Sequence, residues 1–536
     1  MSLNQSRYVS LSLLFLFSCG DHTKTREEAT APITSAIPED RPDNFAPQPN
    51  DINTSIAKNA EDLSAIVVSP QSHTLGQWGE QLSWPLIAIH ATLLPNGKIF
   101  TFGTDTKGAQ QAYIHDVWAP GGAGHQTSSN GQPTDSFCSA TGLLPSGELL
   151  IAGGDTRVPQ NTGIKDSLIY KMGNQELTRA SFMFQARWYP NLTTLPNGEM
   201  LIFGGKDGSS TPVTVPEIYN GQWRTVWNAL NDNIINDTEG KWFYPRNFVA
   251  PNGKVFGMTG NVMFYLDWAG TGKATVAGIL PNKTRSYTST AVMFRPGKIL
   301  QVGGSTDGDP EARGSNQAVI VDINGDSPKV TNLPNMAFAR VWGNSTVLPN
   351  GEVLITGGSA WDNKTIESAT TAEMWNSSTN KFRNMAKAAV PRLYHSVALL
   401  LPDARVLVAG GGAPGPLTNL NAELYSPPYL FNADGTKKNR LKIGTFNTKQ
   451  DYGHVVSVPF SGEGTVKRVT FIRTGSVTHS FNMSQRFMQL NFAQQGSTVN
   501  ITLPNSRNQA PPGYYLMFLI NDKGAPSVGT IVSLGA

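Results

Sequence analysis

The sequence predicts an all-β protein, a seven-bladed β-propeller followed by a β-sandwich of Ig-like size. Three observations predict it. One phrase recurs seven times: apolar residues, Pro, a small polar residue, Gly, a β-rich run, then Gly-Gly or a near match. The composition, 53 Gly and 35 Pro against only 15% charged residues, suits a chain of many turns and short strands. After the seventh copy the pattern changes to alternating apolar and polar runs.

The first 19 residues read as a targeting segment. Arg7 supplies a positive charge, and residues 11–17 form an apolar run too short to span a bilayer. The run ends in Leu16-Phe17-Ser18-Cys19-Gly20, which resembles a bacterial lipoprotein cleavage box with Cys19 as the acylated residue. An ordinary secretory signal is the other reading, and both take the protein out of the cytoplasm. Membrane attachment is expected only through that lipid. Residues 20–74 are polar and read as a linker or tether, with a short helix expected over 53–68. The chain has two cysteines, Cys19 and Cys138, so a disulfide scaffold is excluded. A net charge of +3 without a Lys/Arg cluster argues against a nucleic-acid partner.

Residues 75–427 carry the repeats. They begin at Leu93 (LLPNGKIFTFG), Leu143 (LLPSGELLIAGG), Thr194 (TLPNGEMLIFGG), Val249 (VAPNGKVFGMTG), Met293 (MFRPGKILQVGG), Val347 (VLPNGEVLITGG) and Leu400 (LLPDARVLVAGG). The spacing of ~50 residues matches the kelch period. Asn-Gly and Ser-Gly predict a tight two-residue turn with positive φ, and the closing glycines predict backbones in close approach. Outer strands follow at AELYSP, AEMW and PEIYNGQW. Four strands per copy make a blade. Residues 428–536 contain VKRVTFIRTG, MQLNF, STVNITL and GYYLMFLIN, which read as antiparallel strands of a sandwich.

The repeats share a register. Counting back nine positions from the turn glycine reaches Cys138, Tyr189 and, from Ala404 in the seventh copy, His395. The same offset gives Ala88, Tyr244, Thr288 and Trp342. Equivalent positions should form one ring around the channel. A lone cysteine, tyrosine or histidine is usually a packed core residue. A thiol, phenols and an imidazole on one arc instead make a plausible metal site, and nitrogen with phenolate oxygen suits Cu(II) better than Zn(II) or Ca(II).

Four segments resemble the copper-radical oxidases, the galactose oxidase and glyoxal oxidase family. They are SFCSATGLLPSGELLIAGG, ARWYPNLTTLPNGEMLIFGG, PRLYHSVALLLPDARVLVAGG and GSVTHSFNMSQRFMQLNF. The resemblance runs from about residue 75 to the end, and RWYP is nearer the glyoxal oxidases. It implies a thioether between Cys138 and Tyr189, with Tyr189 as copper ligand and radical holder. It implies Tyr394 as axial phenolate and general base, and His395 and His479 as imidazole ligands. Tyr394 and His395 are adjacent, so both reach one metal only at a strand end or bulge. The implied reaction is two-electron oxidation of an aldehyde or primary alcohol, polysaccharide termini included, with O2 reduced to H2O2. The sequence departs from galactose oxidase where a stacking tryptophan follows the Tyr segment: here Asp207 stands there, in GGKDGSS. Trp188, beside Tyr189, is a candidate for part of the cover over the radical, but as a neighbouring strand residue it is expected first to pack between blades. The N-x-S/T triplets at Asn191 and Asn482 adjoin expected ligands and are expected to carry no glycan. A non-catalytic kelch binding module and a surface lipoprotein without copper share the same fold. A closed propeller predicts a monomer.

Overall fold

A computed structural model describes residues 69–104, 112–121, 124–156, 161–280, 287–305 and 313–535. Cys19, the leader, the helix expected over 53–68 and nearly all of the 20–74 linker lie outside the described residues. The described residues belong to one compact unit. Among them no helix is long and apolar enough to cross a membrane.

The repeat phrase builds an antiparallel hairpin in each copy. In the second copy, Leu144 N–H donates to Glu148 O and Gly147 N–H donates to Leu144 O, both at 2.9 Å. The loop between them is therefore Pro145-Ser146-Gly147, three residues rather than two. The glycine alone takes a positive φ, 91°, and Ser146 does not. Proline presets the first turn position and glycine supplies the left-handed third, the usual three-residue hairpin. The closing glycines behave as expected: a Cβ on Gly154 would stand 2.1 Å from Asp135 O.

Four sheets have four strands each, every neighbour antiparallel. Their innermost strands are Ala140–Leu143, Asn191–Thr194, Arg246–Val249 and Asn344–Val347. A fifth sheet holds Ser396–Leu400, Val406–Gly410 and Asn421–Ser426, and its outer strand is the early segment Gln77–Trp78. A segment just ahead of the first repeat thus completes the sheet of the last repeat. Just before that strand, Ser72–Leu75 forms one helical turn, and Tyr425 Oη donates to Leu75 O at 2.7 Å. Together these sheets form a β-propeller-like arrangement. Two more meanders, Ile87–Leu93 to Gly124–Ser129 and Thr290–Arg295 to Lys329–Asn332, have the same pattern but are joined by pairing to the C-terminal strands.

The C-terminal β domain has its own core, including Val458, Val469, Phe471, Tyr515, Met517 and Leu519. Val455–Ser461 alternates strictly between exposed and buried residues, the signature of a half-buried strand. Phe481–Gln495 is fifteen residues long: its early part lies beside Thr290–Arg295 of the second of the two joined meanders, and its later part pairs with Val466–Arg473 and Thr498–Thr502.

Candidate metal centre

The site begins with a backbone feature. Cys138, Tyr189, Tyr244, Trp342 and His395 all have φ between 35° and 67°, in the left-handed region. For non-glycine residues this costs about 1–2 kcal/mol each. The same offset in the first and fifth copies, Ala88 and Thr288, does not show it. Backbone bonds link neighbouring copies at this level: Tyr189 N–H to Cys138 O (2.9 Å), Tyr244 N–H to Tyr189 O (3.0 Å), Trp342 N–H to Thr288 O (3.0 Å). The left-handed residue turns the chain sharply before the inner strand starts. That turn lets Tyr394 and His395 share a direction. Both lie in the turn before Ser396–Leu400, and their rings stack with centroids 3.7 Å apart.

His479 arrives from the C-terminal domain on a finger. Ser476–Thr478 pairs antiparallel with Ile87–Leu93, and Phe481 lies in parallel register with Ala291. His479 and Ser480 form the tip, with φ of 46° and 64°. The hairpin thus passes between the inner strands of the first and fifth copies.

The side chains converge. His395 Nε2 and His479 Nε2 are 2.8 Å apart. Cys138 Sγ lies 3.4 Å from His479 Nε2 and 4.0 Å from His395 Nε2. Tyr189 Oη and Tyr394 Oη are 2.7 Å apart, and the Cys138 thiol contacts the Tyr189 phenol. Cys138, His395 and His479 are buried, Tyr189 nearly so, and Tyr394 is half-buried. All five sequence-selected residues within the described chain therefore meet.

Burial sets their protonation. It pushes the Cys138 thiol and the Tyr189 and Tyr394 phenols up, and it pulls His395 down to about 3 and His479 well below the usual imidazole value. Both imidazoles are neutral at pH 7. His395 Nδ1 donates to Ala413 O at 2.5 Å, which leaves Nε2 as a bare lone pair. His479 Nδ1 stands 2.6 Å from Thr478 Oγ1. Two ring nitrogens facing each other at this distance need a proton or a cation between them. The donor set fits a metal of the copper type: two imidazole nitrogens, two phenol oxygens and a sulfur, with no carboxylate in the Cys138–His395–His479 cluster.

An aromatic shell encloses Tyr189. Trp188 stacks at a tilt 4.0 Å from its ring, Phe243 lies at 4.5 Å and Trp242 at 5.7 Å. Trp342 covers Tyr394 at 4.5 Å. Trp188 does neighbour Trp242, at 5.9 Å, but it also lies on the phenol, because the left-handed turn at Tyr189 folds the two adjacent rings together. Asp207 covers nothing: its carboxylate accepts from Ser209 N–H (2.7 Å) and Thr211 N–H (3.0 Å) in a local turn. Asn191 and Asn482 are buried, which leaves no room for a glycan.

Sequence reasoning missed Phe243 and Trp242 in the shell and the latches behind it. Arg187, Arg340 and Arg392, just ahead of three ring residues, each bond a buried glutamate of the same copy, Glu217, Glu373 and Glu423, at 3.0, 2.9 and 3.0 Å. The signal was present as an arginine before the ring position and a glutamate in PEIY, AEMW and AELY.

The sequence pattern of the glyoxal oxidase N-terminus matches residues 91–429, and that of the galactose oxidase-like early set domain matches 440–534. The chain belongs to the glyoxal oxidase family. It is similar to a galactose oxidase of Gibberella zeae, 26% identical over 518 residues that cover 89% of this chain and 73% of that one. It is similar to an aldehyde oxidase of Arabidopsis thaliana, 28% identical over 449 residues (75% and 72%), and to one of Vitis pseudoreticulata, 29% over 451 residues (75% and 82%). A fungal alcohol oxidase of the AA5 family, solved in complex with copper, matches the fold with a TM-score of 0.77 at 24% identity, over 86% of this chain and all of that one. The chain is thus homologous to copper-radical oxidases, whose cofactors are copper and a cysteine–tyrosine radical.

Proposed function

We propose that this protein is an extracytoplasmic copper-radical oxidase that converts an aldehyde or primary alcohol with O2 as acceptor and H2O2 as product. The observation that carries the reading is the convergence of Cys138, Tyr189, Tyr394, His395 and His479 at one point. We read the five separate sheets and the two joined meanders as seven blades, and the C-terminal domain as an Ig-like sandwich.

Tyr189, Tyr394, His395 and His479 are the residues that would hold copper. When bound, copper supplies one of the two oxidising equivalents, and the Tyr189 radical supplies the other. The Cys138 sulfur, joined to the Tyr189 ring by a C–S bond that replaces the S–H and one ring C–H while O2 takes up the two electrons and two protons, would make that ring easier to oxidise. Tyr394 is the half-open member of the set, hydrogen-bonded to Tyr189; as the phenolate it would be when it holds copper, its Oη would accept the substrate's hydroxyl proton as general base. Trp188, Phe243 and Trp242 exclude water from Tyr189 and protect its oxidised form. Overall, the substrate loses two electrons and two protons, and O2 gains both pairs. Leu16-Phe17-Ser18-Cys19 supports attachment to a bacterial surface through Cys19.

The test is mass spectrometry of the purified chain from about residue 69 after exposure to Cu(II) and air. A joined peptide pair containing Cys138 and Tyr189, lighter by two hydrogens, is expected, together with peroxide release on aldehydes or alcohols. Separate unmodified peptides despite bound copper would end the radical-oxidase reading and leave a binding propeller.

A further inference from the structure

Arg246 differs from the other buried arginines of the ring. Arg187, Arg340 and Arg392 each face a buried glutamate. Arg246 is completely buried, and no carboxylate contacts it among the described residues. Its Nη1 donates to Tyr244 O at 2.7 Å. Its Nη2 donates to Ser289 O at 2.9 Å, Tyr287 O at 3.2 Å and His479 O at 3.3 Å. Its guanidinium also lies 5.2 Å over the ring of Phe481, and its Nε has no partner.

A buried cation without a counter-ion is expensive, and most such groups are paired or lost. This one spends its donors on carbonyls from three separate segments: the left-handed turn at Tyr244, the entry to the fifth copy at 287–289, and the finger tip at His479. The tip needs such support. His479 and Ser480 are the two loop residues of the Thr478–Phe481 pairing, and both take the positive φ that a tight hairpin loop requires, but neither is the glycine or asparagine that such a loop favours.

We propose that Arg246 is a positioning residue that clamps the finger of the C-terminal domain into the propeller and holds His479 at the metal centre. This rests on the reading of His479 as a copper ligand, but the clamp itself makes a claim about the metal-free protein. The planar fork suits it, because one guanidinium reaches several carbonyls at once and a lysine cannot.

The experiment compares wild type with Arg246→Gln, which keeps donors without the charge, Arg246→Lys, and Arg246→Met. Hydrogen exchange of the metal-free proteins is read over residues 476–482, with 455–473 of the same domain as reference. Exchange of the finger is expected to speed up about tenfold or more in Arg246→Gln while the reference segment is unchanged. On adding Cu(II), affinity is expected to fall about 10–100-fold, the range for residues that orient metal ligands. The Cu(II) EPR spectrum should lose the coupling of one imidazole nitrogen, with partial return in Arg246→Lys. If Arg246→Met does not fold, Arg246→Gln carries the test. Unchanged finger exchange and unchanged nitrogen coupling in a folded Arg246→Gln would overturn the proposal. If wild type takes up no copper while the finger loosens in the variant, the oxidase reading fails and the clamp stands.

Discussion

The seven copies carry two kinds of inner strand, and they do different work. In five copies the chain is kinked through a left-handed residue just before the strand, and four of those five kinks carry a thiol, a phenol or an imidazole: Cys138, Tyr189, Tyr244 and His395. In the first and fifth copies the chain enters without the kink, at Ala88 and Thr288, and those two strands lie against the finger that brings His479. A strand that must pair along its edge has to stay extended. A residue that must turn its side chain into a shared centre has to break the strand. One repeated sequence thus builds a socket on some copies and a docking slot on others.

The largest expected effect breaks the kinked side. Cys138→Ser keeps size and burial but removes the sulfur that would join Tyr189. Oxidase turnover should fall by roughly three orders of magnitude or more, as when one member of a unit of interdependent groups is removed. Thermal stability should change little, and a steady-state peroxide assay beside a melting curve separates the two. Retained turnover would break the reading of the kinked arc as the chemical one.

The next effect tests the slot. Phe481 is fully buried, opposite Phe248 and beneath Arg246. Phe481→Ala should cost about 3–5 kcal/mol by denaturant unfolding, as large aromatic deletions do. It should also weaken copper uptake, because the finger loses its anchor. A loss of stability with normal copper affinity would mean that finger and socket are independent.

A pH series sharpens the comparison further. His115, in the first copy, is buried against Phe100 and Tyr170, and burial pulls it down to about 4. Its folded value is depressed below the unfolded value of about 6.5. Its contribution to stability is therefore present above pH 6.5 and lost as pH falls toward 4. Asp155, raised to about 6 by burial, acts in the opposite sense, losing stability as pH rises through 6. His115→Phe should flatten the acid side of a melting-temperature profile whether or not copper is present. An unchanged acid limb would show that other groups dominate it.

The smallest effect lies at the hairpin turn of the seventh copy. Ala404 stands where other copies have glycine, yet it takes the same left-handed φ of 70°. Ala404→Gly relieves about 1–2 kcal/mol of steric cost but loses a buried methyl worth about 0.8 kcal/mol and adds freedom to the unfolded chain. The net gain should be under about 1 kcal/mol, measurable by chemical denaturation. A clear loss would show that Cβ packing, not turn geometry, governs this site.

Much of the architecture was legible because it is local. Pro-Asn-Gly and Pro-Ser-Gly turns, apolar runs and paired glycines act within a few residues of themselves, so seven similar phrases announce seven similar hairpins. The ring register was legible for the same reason: nine residues of fixed strand and turn carry Cys138, Tyr189 and His395 to equivalent places. Even the turn length was misjudged by only one residue, since Asn-Gly alone does not distinguish two-residue from three-residue loops until the pairing of Leu144 with Glu148 is known. His479 was legible only by resemblance, because no repeat contains it. Its place depends on strands more than 180 residues apart in sequence, Ile87–Leu93 and Thr290–Arg295 both contacting 476–483. The cover on Tyr189 was decided by the backbone turn that folds Trp188 back, and the clamp at Arg246 by carbonyls gathered from three segments. The sequence by itself determined which side chains stand at the ring, through repetition at fixed spacing. Tertiary structure decided which of them meet, and what holds them there, because burial and long-range pairing, not local preference, set those contacts.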